Sequence, residues 1–177
     1  MEGPYRKFAQ EFLPAKIRYL LIGESPPFTP PGEQLKYFYN YKNTGGSQIL
    51  LSTVCYAFLG RKFYRKNGDK KRLLNMLKKK GAFLLDATYE PINKTKDPKI
   101  RQKKIQDAFP ALKGRIRKLS LTKSAKILLL HGNVIRAIGN QLREDFKDTS
   151  WDIYDIGFPS YYYDEKFRKK VKSAVIE

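Results

Sequence analysis

The sequence predicts an α/β fold of three layers, α/β/α, with a central, mainly parallel sheet of four strands. Four short apolar runs of four or five residues indicate the strands. Their apolar residues are nearly continuous rather than alternating, which is typical of strands covered on both faces. Segments with helical spacing separate the runs, and strands that alternate with helices favour a parallel sheet.

Each predicted strand ends within two residues of a Gly, Asp, Pro or Ser residue, where a turn or loop is favoured. We therefore expect each strand to be buried and to lead directly into a loop. The four runs are Tyr19–Ile22, Ala82–Leu85, Lys126–Leu130 and Ile153–Ile156.

Five segments are predicted to be helical. Ser47–Leu59 is mostly apolar, which indicates a buried helix, and Ser47 is a candidate N-cap. Asp69–Lys80 starts with an acidic residue and ends in lysines before Gly81, as the helix dipole favours. The other segments are Pro98–Leu119, expected to be interrupted near Pro110, Asn133–Phe146 and Asp164–Val175. The long loop Phe28–Thr44 is of a length that is often functional.

The charge of the chain favours a polyanionic partner. The 177 residues are expected to form a single domain, 1–177, and they carry 36 Lys and Arg against 17 Asp and Glu. The formal net charge of +19 costs stability through self-repulsion. Nucleic acid is the first candidate, because bound phosphates release condensed counterions. An anionic membrane surface, or a solvated lysine-rich surface of a heat-adapted protein, remains an alternative.

Composition also argues against several classes of protein. One cysteine, Cys55, allows no internal disulfide, which suits a reducing compartment, and it cannot by itself hold a zinc or iron–sulfur site. No apolar signal core follows Met1, and no uncharged run approaches the roughly 18 residues that span a bilayer. We expect a cytoplasmic monomer without a membrane span, a metal or an organic cofactor.

The residues after the predicted strands are the candidates for a functional site, because ligands of open parallel sheets bind beyond the carboxyl ends of the strands. All four loops are polar, and three of them contain glycine or proline. They read Gly23-Glu24-Ser25-Pro26-Pro27-Phe28, Asp86-Ala87-Thr88-Tyr89, His131-Gly132-Asn133 and Gly157-Phe158-Pro159-Ser160.

In order and spacing, these segments resemble the motifs of the uracil-DNA glycosylase superfamily, from about Ile17 to about Val171. Gly23–Pro26 is similar to its Gly-x-[Asp/Asn/Ala]-Pro loop, and Phe38 follows Ser25 at the distance of the Phe that stacks on a flipped base. Three further segments are similar to motifs of the superfamily. Gly81–Asp86 resembles the strand whose final Asn hydrogen-bonds the base, and Leu128–Gly132 resembles an apolar run that precedes Trp-Gly. Phe158–Ser160 resembles the His-Pro-Ser motif that pinches the DNA backbone.

The resemblance implies a DNA-repair enzyme that flips a damaged or deaminated base out of DNA, single- or double-stranded, and lets water displace the base from the sugar. No metal or cofactor is implied. The residues that it assigns are Glu24 and Asp86 as catalytic carboxylates, Ser25, Pro26, Phe38, Asn40 and His131 around the base, and Phe158, Pro159, Ser160 and Tyr161 on the DNA.

The chain departs from the superfamily at residues that perform chemistry. Ser25 stands where the uracil-specific enzymes have Asp, and the loop is more similar to a Gly-Glu-Ala-Pro variant, which would make Glu24 the carboxylate that orients water. That variant binds an iron–sulfur cluster through four cysteines, which a single cysteine excludes. Phe158 replaces the His that stabilises the leaving base, and His131 is the only histidine in the chain.

Asp86 replaces the Asn that reads the base, and three interpretations are open. An amide offers a donor and an acceptor, whereas an ionised carboxylate only accepts. Either Asp86 is protonated in a dry pocket, or the base is not uracil, or Asp86 is the catalytic carboxylate.

Other functions and purely structural roles are also open. The missing Asp and His motivate a catalytically silent or redirected nucleic-acid-binding module of the same fold, and a nucleotide-processing enzyme could use the same edge of the sheet. Gly23 and Pro26 could form only a tight turn, Phe38 could be a core residue, and His131 a structural histidine. Tyr161–Tyr163 could stack on a DNA strand or pack in the core.

Overall fold

A four-stranded sheet, in which all neighbouring strands run parallel, forms the centre of the fold. The computed structural model describes residues 3–43, 48–61 and 69–176. The strand order is β2-β1-β3-β4, and the central strands β1 and β3 each contribute four buried apolar residues to the core. The strands are β1 (Ile17–Gly23), β2 (Ala82–Asp86), β3 (Leu121–Leu129) and β4 (Asp152–Asp155).

The described helices cover the sheet, which confirms the predicted α/β class. Helix α4 packs against α5, while α2 packs against α3 and α6. They are α1 (Gly3–Glu11), α2 (Ile49–Leu59), α3 (Asp69–Lys79), α4 (Pro98–Arg117), α5 (Gly132–Asp145) and α6 (Glu165–Ile176). None of the described helices is both long enough and apolar enough to cross a bilayer.

The strand ends meet in register, and this alignment positions the loops that follow them. Ile22 of β1 pairs with Leu85 of β2 on one side and Leu129 of β3 on the other. Gly23 lies opposite Asp86, and a Cβ built on Gly23 would be 2.7 Å from Asp86 Oδ1. Only glycine fits there without displacing the carboxylate.

Strand β4 is not buried, so the prediction of four strands covered on both faces is wrong for this one. Its residues are exposed or half-buried. Its place at the edge of the sheet, where it pairs only with β3, does not explain this by itself, because β2 is also an edge strand and is buried. Strand β2 packs against α3, and Tyr39 binds the backbone of its Leu84. The predicted run Ile153–Ile156 is also displaced by one residue from the observed strand.

Two helical features differ from the prediction. Helix α1 is not among the predicted helices, although Ala9 is in the core and Tyr5 and Phe8, at helical spacing from it, pack against the core. Helix α4 is continuous through Pro110, so the expected interruption is wrong. Pro110 is exposed and lacks only the N–H that would bond the Gln106 carbonyl. The apolar face of α4, packed on the core, holds the helix together through Ile105, Phe109, Leu112 and Ile116.

The predicted N-cap Ser47 lies outside the described residues, as does Thr44 at the end of the predicted loop. The described helix α2 starts at Ile49, with Gln48 preceding it.

Candidate functional site

A cavity of about 440 Å³ lies at the edge of the sheet where the strands end. Parallel strands bring the four loops to this edge, so residues far apart in the chain share its walls. Among the predicted residues, the cavity is lined by Glu24, Ser25, Pro26, Phe38, Asp86, His131 and Phe158. Asn40, Pro159, Ser160 and Tyr161 are not part of its lining.

Glu24 is buried in the wall and held by partners from two helices. Arg101 of α4 donates a hydrogen bond and forms an ion pair with Oε2, and Asn133 Nδ2 donates to Oε1 at 2.8 Å. The Glu24 carboxylate is therefore fixed in orientation. Each of its oxygens has two acceptor sites, so it can still accept a hydrogen bond from a bound water.

Asp86 places a second carboxyl in the wall, and this one lacks a donor. Its side chain is almost wholly buried, and Oδ2 accepts no hydrogen bond within the described ranges. Burial raises the pKa of Asp86 to about 7; the Arg115 guanidinium opposes the shift and the Glu24 carboxylate adds to it. A fraction of Asp86 therefore carries a proton at neutral pH.

Arg115, whose positive charge lowers the pKa of Asp86, makes its hydrogen bond to another group. Its Nη2 donates to the Ala87 carbonyl at 2.8 Å, and its guanidinium lies 4.5 Å from the Tyr89 ring centroid. Tyr5 stacks on Tyr89 and meets Tyr37 edge-on, which completes an aromatic cluster beside Asp86. These rings keep water from the carboxyl and account for its raised pKa.

His131 is neutral and carries its proton on Nε2. It is the N-cap of α5, and its Nδ1 accepts a hydrogen bond from the Asn133 backbone N–H at 3.2 Å. A nitrogen that accepts cannot be protonated, so the 3.5 Å approach to Glu24 is not an ion pair. Burial lowers the pKa of His131, Arg101 and Arg136 add to this, and Glu24 opposes it.

The loop after β1 supplies an aromatic wall. Phe38 is half-buried, lines the cavity and packs edge-on against Tyr39, with ring centroids 5.0 Å apart. The buried Tyr39 hydroxyl accepts from the Leu84 N–H and donates to the Leu84 carbonyl, which docks the loop on the edge strand β2. Asn40 is buried and donates to the Leu35 carbonyl at 2.7 Å, so its side chain shapes the loop.

Lys70 of α3 fixes the same loop from behind. It is 1% exposed, and its ammonium donates to the carbonyls of Tyr37 and Asn43 and to Gln48 Oε1 at 3.2–3.3 Å. These three acceptors belong to residues that line the cavity. Burial lowers the pKa of Lys70 to about 8. The loop wall therefore depends on one buried cation.

Ser25 and Pro26 form the turn beneath the cavity. The Ser25 hydroxyl accepts a hydrogen bond from the Ile92 N–H at 3.3 Å, which ties the loop after β1 to the loop after β2. Pro26 is buried. Ser25 therefore has a structural bond, while its hydroxyl proton is available to a ligand.

The last predicted segment lies at the rim and outside it. Phe158 is 48% exposed, lines the cavity, and its ring lies 5.5 Å from that of His131. Tyr161 is 55% exposed and Ser160 is also exposed, whereas Pro159 is buried. The Ser160 N–H donates a hydrogen bond to Asp164 Oδ2 at 2.9 Å, which fixes the segment. The segment thus presents fixed, exposed rings next to the cavity.

Several residues of the cavity lining carry no mark in the sequence that identifies them as site residues. Arg101 lies in a helix with many other basic residues, and no local pattern distinguishes it from them. Asn133 lies in the loop after β3, but its hydrogen bond to Glu24 spans 109 positions of the chain. Lys36, Tyr37 and Asn93 also line the cavity. Such contacts across the chain leave no periodic signal in the sequence.

Neither a group of metal-ligating side chains in the described ranges nor a match to another protein assigns a function to the site. Within the described ranges, no group of three or more His, Cys, Asp and Glu side chains is placed to hold a metal ion. No family model matches the chain, and no curated protein or solved structure matches it at a significant level.

Proposed function

We propose that this protein is a DNA N-glycosylase that hydrolyses the bond between a flipped base and its sugar. The observation that carries the proposal is the pair of carboxyl groups, fixed Glu24 and unpartnered Asp86, in the wall of a cavity that also exposes Phe38. Buried carboxyls without a full set of donors are costly, and such groups concentrate at functional sites.

The cavity suits a nucleobase in size and chemistry. Its volume of about 440 Å³ is in the range of small-molecule sites. The Phe38 ring and Leu84 offer apolar surface to a planar base, while Asp86 and His131 offer polar groups to its edges. The combination of stacking and edge contacts is how enzymes hold a flipped base.

In the proposed reaction, the bond from C1′ to the base nitrogen breaks and its electron pair leaves with the base. Water bonds to C1′ and transfers a proton to the Glu24 carboxylate, from which solvent returns a proton to the departed base anion. The negative charge of Glu24 also stabilises the cationic sugar, although Arg101 offsets part of it. The His131 Nε2–H lies at the edge of the ring away from Asn133, and it can donate a hydrogen bond to the negative charge that develops on the departing base.

The basic surface and the exposed rings support a nucleic-acid substrate. The net charge of +19 favours phosphate contacts, and Phe158 and Tyr161 project from a fixed segment beside the cavity. We propose that these rings contact the strand on either side of the flipped nucleotide.

The test is base release from labelled oligonucleotides that each carry one uracil, hypoxanthine, xanthine, mismatched thymine or oxidised base, in single- and double-stranded form. Abasic sites are then cut with alkali. We expect release from at least one oligonucleotide, and a loss of kcat of about 100-fold or more in Glu24→Gln. Glu144→Gln, on the exposed side of α5 and paired with Lys147, is the matched control and should keep full activity.

One outcome would move the assignment to a second function. If no base is released while DNA is still retarded in a gel, the protein is a binding module of the same fold. Two observations favour that alternative: Ser25 has no carboxylate to offer, and Phe158 cannot stabilise a departing anion.

A further inference from the structure

Six basic residues gather at the amino end of the sheet, opposite the edge that carries the cavity. Two lie at the start of β1, two precede β2, and two lie between the end of α4 and the start of β3. Because these neighbouring strands are parallel, their starts lie side by side. The six residues, which we name the amino-end surface, are Lys16, Arg18, Lys79, Lys80, Lys118 and Lys123.

Backbone hydrogen bonds hold the three segments of this surface together. The Ile17 N–H donates to the Ser120 carbonyl at 2.8 Å, which joins the first segment to the third. The Arg18 N–H donates to the Gly81 carbonyl at 2.9 Å, which joins the first segment to the second. The Arg18 side chain also lies against Gly81, where an added Cβ would be 3.1 Å from Arg18 Cγ. The fold itself therefore concentrates the positive charge.

The charge of the amino-end surface is not neutralised within the described chain. All six residues are exposed, and their side chains have no ion pair or hydrogen bond with another described residue. Two acidic residues border the surface: Glu11 is paired with Lys71, and Asp152, at the start of β4, pairs with none of the six. Like charges held this close repel one another, so a bound polyanion would stabilise the folded protein.

Helix dipoles account for only part of this concentration of charge. A cation at the C-terminus of a helix is stabilised by the dipole, and Lys79 and Lys118 occupy such positions on α3 and α4. Lys16, Arg18 and Lys123 lie in or beside strands, where no helix ends. These three cations have no structural role within the described chain, which favours an external partner.

We propose that the amino-end surface binds the phosphate backbone of a second nucleic-acid segment, separate from the segment at the cavity. Bound phosphates would neutralise the six cations and release condensed counterions. The large exposed apolar side chains of the described chain lie elsewhere, on the first turn of α4 and after β4. The surface thus offers no ring on which a base could stack and no apolar anchor for a membrane. Binding there is weaker than at the cavity and independent of base sequence.

The two surfaces face opposite ends of the sheet. Strand β1 leads from the amino-end surface to Gly23 in the cavity wall, a distance of about 20 Å at a rise of about 3.3 Å per residue. One molecule can therefore hold two nucleic-acid segments at the same time. This inference goes beyond the proposed function, because it requires no base to be released.

The experiment measures bridging between two oligonucleotides by the intact protein. One is immobilised sparsely on beads, and the other, of unrelated sequence, carries a fluorophore. We expect the wild type to retain the labelled oligonucleotide on the beads, and rising salt to abolish this. In the triple variant R18Q/K80Q/K118Q, retention should fall about tenfold or more, because three phosphate contacts are lost, while the protein itself still binds the beads.

The matched control removes the same charge from cations that already have partners. R72Q/K103Q/K147Q alters three exposed residues that are paired with Asp69, Asp107 and Glu144, and it should bridge as the wild type does. A second variant of the surface, K16Q/K79Q/K123Q, leaves the contact between Arg18 and Gly81 intact. It should lose bridging as the first variant does, even if the first does not fold.

Several results would overturn the inference. They are an absence of bridging by the wild type, full bridging by a folded amino-end variant, and an equal loss in the control variant, which would show an effect of net charge alone. Vesicles that contain phosphatidylserine test the other polyanion. If the six residues were needed to bind such vesicles but not to bridge oligonucleotides, the partner of the surface would be a membrane and the inference would be wrong.

Failure of the proposed function has a different signature. If the wild type bridges oligonucleotides through the amino-end surface but releases no base, the inference stands and the glycosylase assignment fails. If bases are released but no bridging occurs, the glycosylase assignment stands and the amino-end surface does not bind nucleic acid.

Discussion

Asp86 shows how a single residue couples stability to the candidate site. It ends β2 inside a cluster of tyrosines, and its carboxyl is 3% exposed without a donor to Oδ2. Burying an ionised carboxylate in this way is unfavourable, so the folded protein holds the proton to a higher pH than the unfolded chain does. This arrangement therefore lowers the free energy of unfolding when Asp86 is ionised.

Asp86→Asn should therefore stabilise the protein in a way that depends on pH. The pKa of Asp86 is about 7 in the folded state against 3.8 for an ordinary Asp, so the wild type loses stability as pH rises between these values. The gain in the variant should grow from about pH 4 to about pH 7 and then level off, at on the order of 4 kcal/mol. Urea unfolding at a series of pH values measures it.

The control for this prediction is Asp107→Asn, an exposed carboxylate paired with Lys103 on α4. It should change stability little and without the same pH profile. A stability difference between Asp86→Asn and wild type that stays constant from about pH 4 to about pH 8 would contradict the raised pKa.

At the scale of elements, the loop after β1 is held by contacts that reach it from both sides. Tyr39 bonds both backbone groups of Leu84 and so covers the exposed edge of β2. Lys70 on α3 reaches the loop from the other side through the Tyr37 and Asn43 carbonyls. The aromatic wall of the cavity is therefore fixed by a strand and a helix, although it is itself irregular.

Lys70→Met should loosen this wall while the sheet remains intact. The methionine keeps most of the packing but leaves the carbonyls without a donor. We expect the described amides of residues 37–43 to exchange hydrogen about tenfold faster, with little change in β1 and β3. Lys79→Met, an exposed lysine on the same helix, is the control. Equal exchange in both variants would show that Lys70 does not hold the loop.

At the scale of the whole molecule, charge and exposed rings serve separate tasks in the proposed function. The net charge of +19 attracts phosphates irrespective of sequence. Four large apolar side chains are markedly exposed in the described chain, and three of them lie within residues 158–162: Phe158, Tyr161 and Tyr162. The fourth, Ile100, lies on α4.

Salt dependence can separate the two contributions to nucleic-acid binding. The logarithm of the affinity should fall linearly with the logarithm of salt concentration in the wild type. Tyr161→Ala should weaken binding about tenfold at every salt concentration and leave the slope unchanged, because it removes stacking and no charge. Ile100→Ala should bind as the wild type does, and fluorescence anisotropy with a labelled oligonucleotide measures all three. An equal loss of affinity in Ile100→Ala would show that residues 158–162 have no special role in binding.

Much of the fold could be predicted because it depends on local patterns. The apolar runs of β1, β2 and β3 lie where the sequence places them, and the residues that follow the strands come together because parallel strands end at one edge. The exposure of β4 could not be predicted, since an apolar run does not reveal what packs on the outer edge and the faces of its strand: β2 and β4 have one neighbour each, yet β2 is buried and β4 is not. The continuity of α4 through Pro110 likewise depends on packing against the core.

The α/β class, the basic charge and the set of polar loops from which a site could form all follow from the amino-acid sequence. Which residues of these loops meet in the cavity depends on the folded chain, in which Glu24 binds Arg101 and Asn133, Lys70 lies behind the wall, and Asp86 Oδ2 has no donor. The physical reason is distance along the chain. Periodicity records what a residue does within its own helix or strand, whereas burial, ion pairing and a shifted pKa arise from neighbours that only folding brings together.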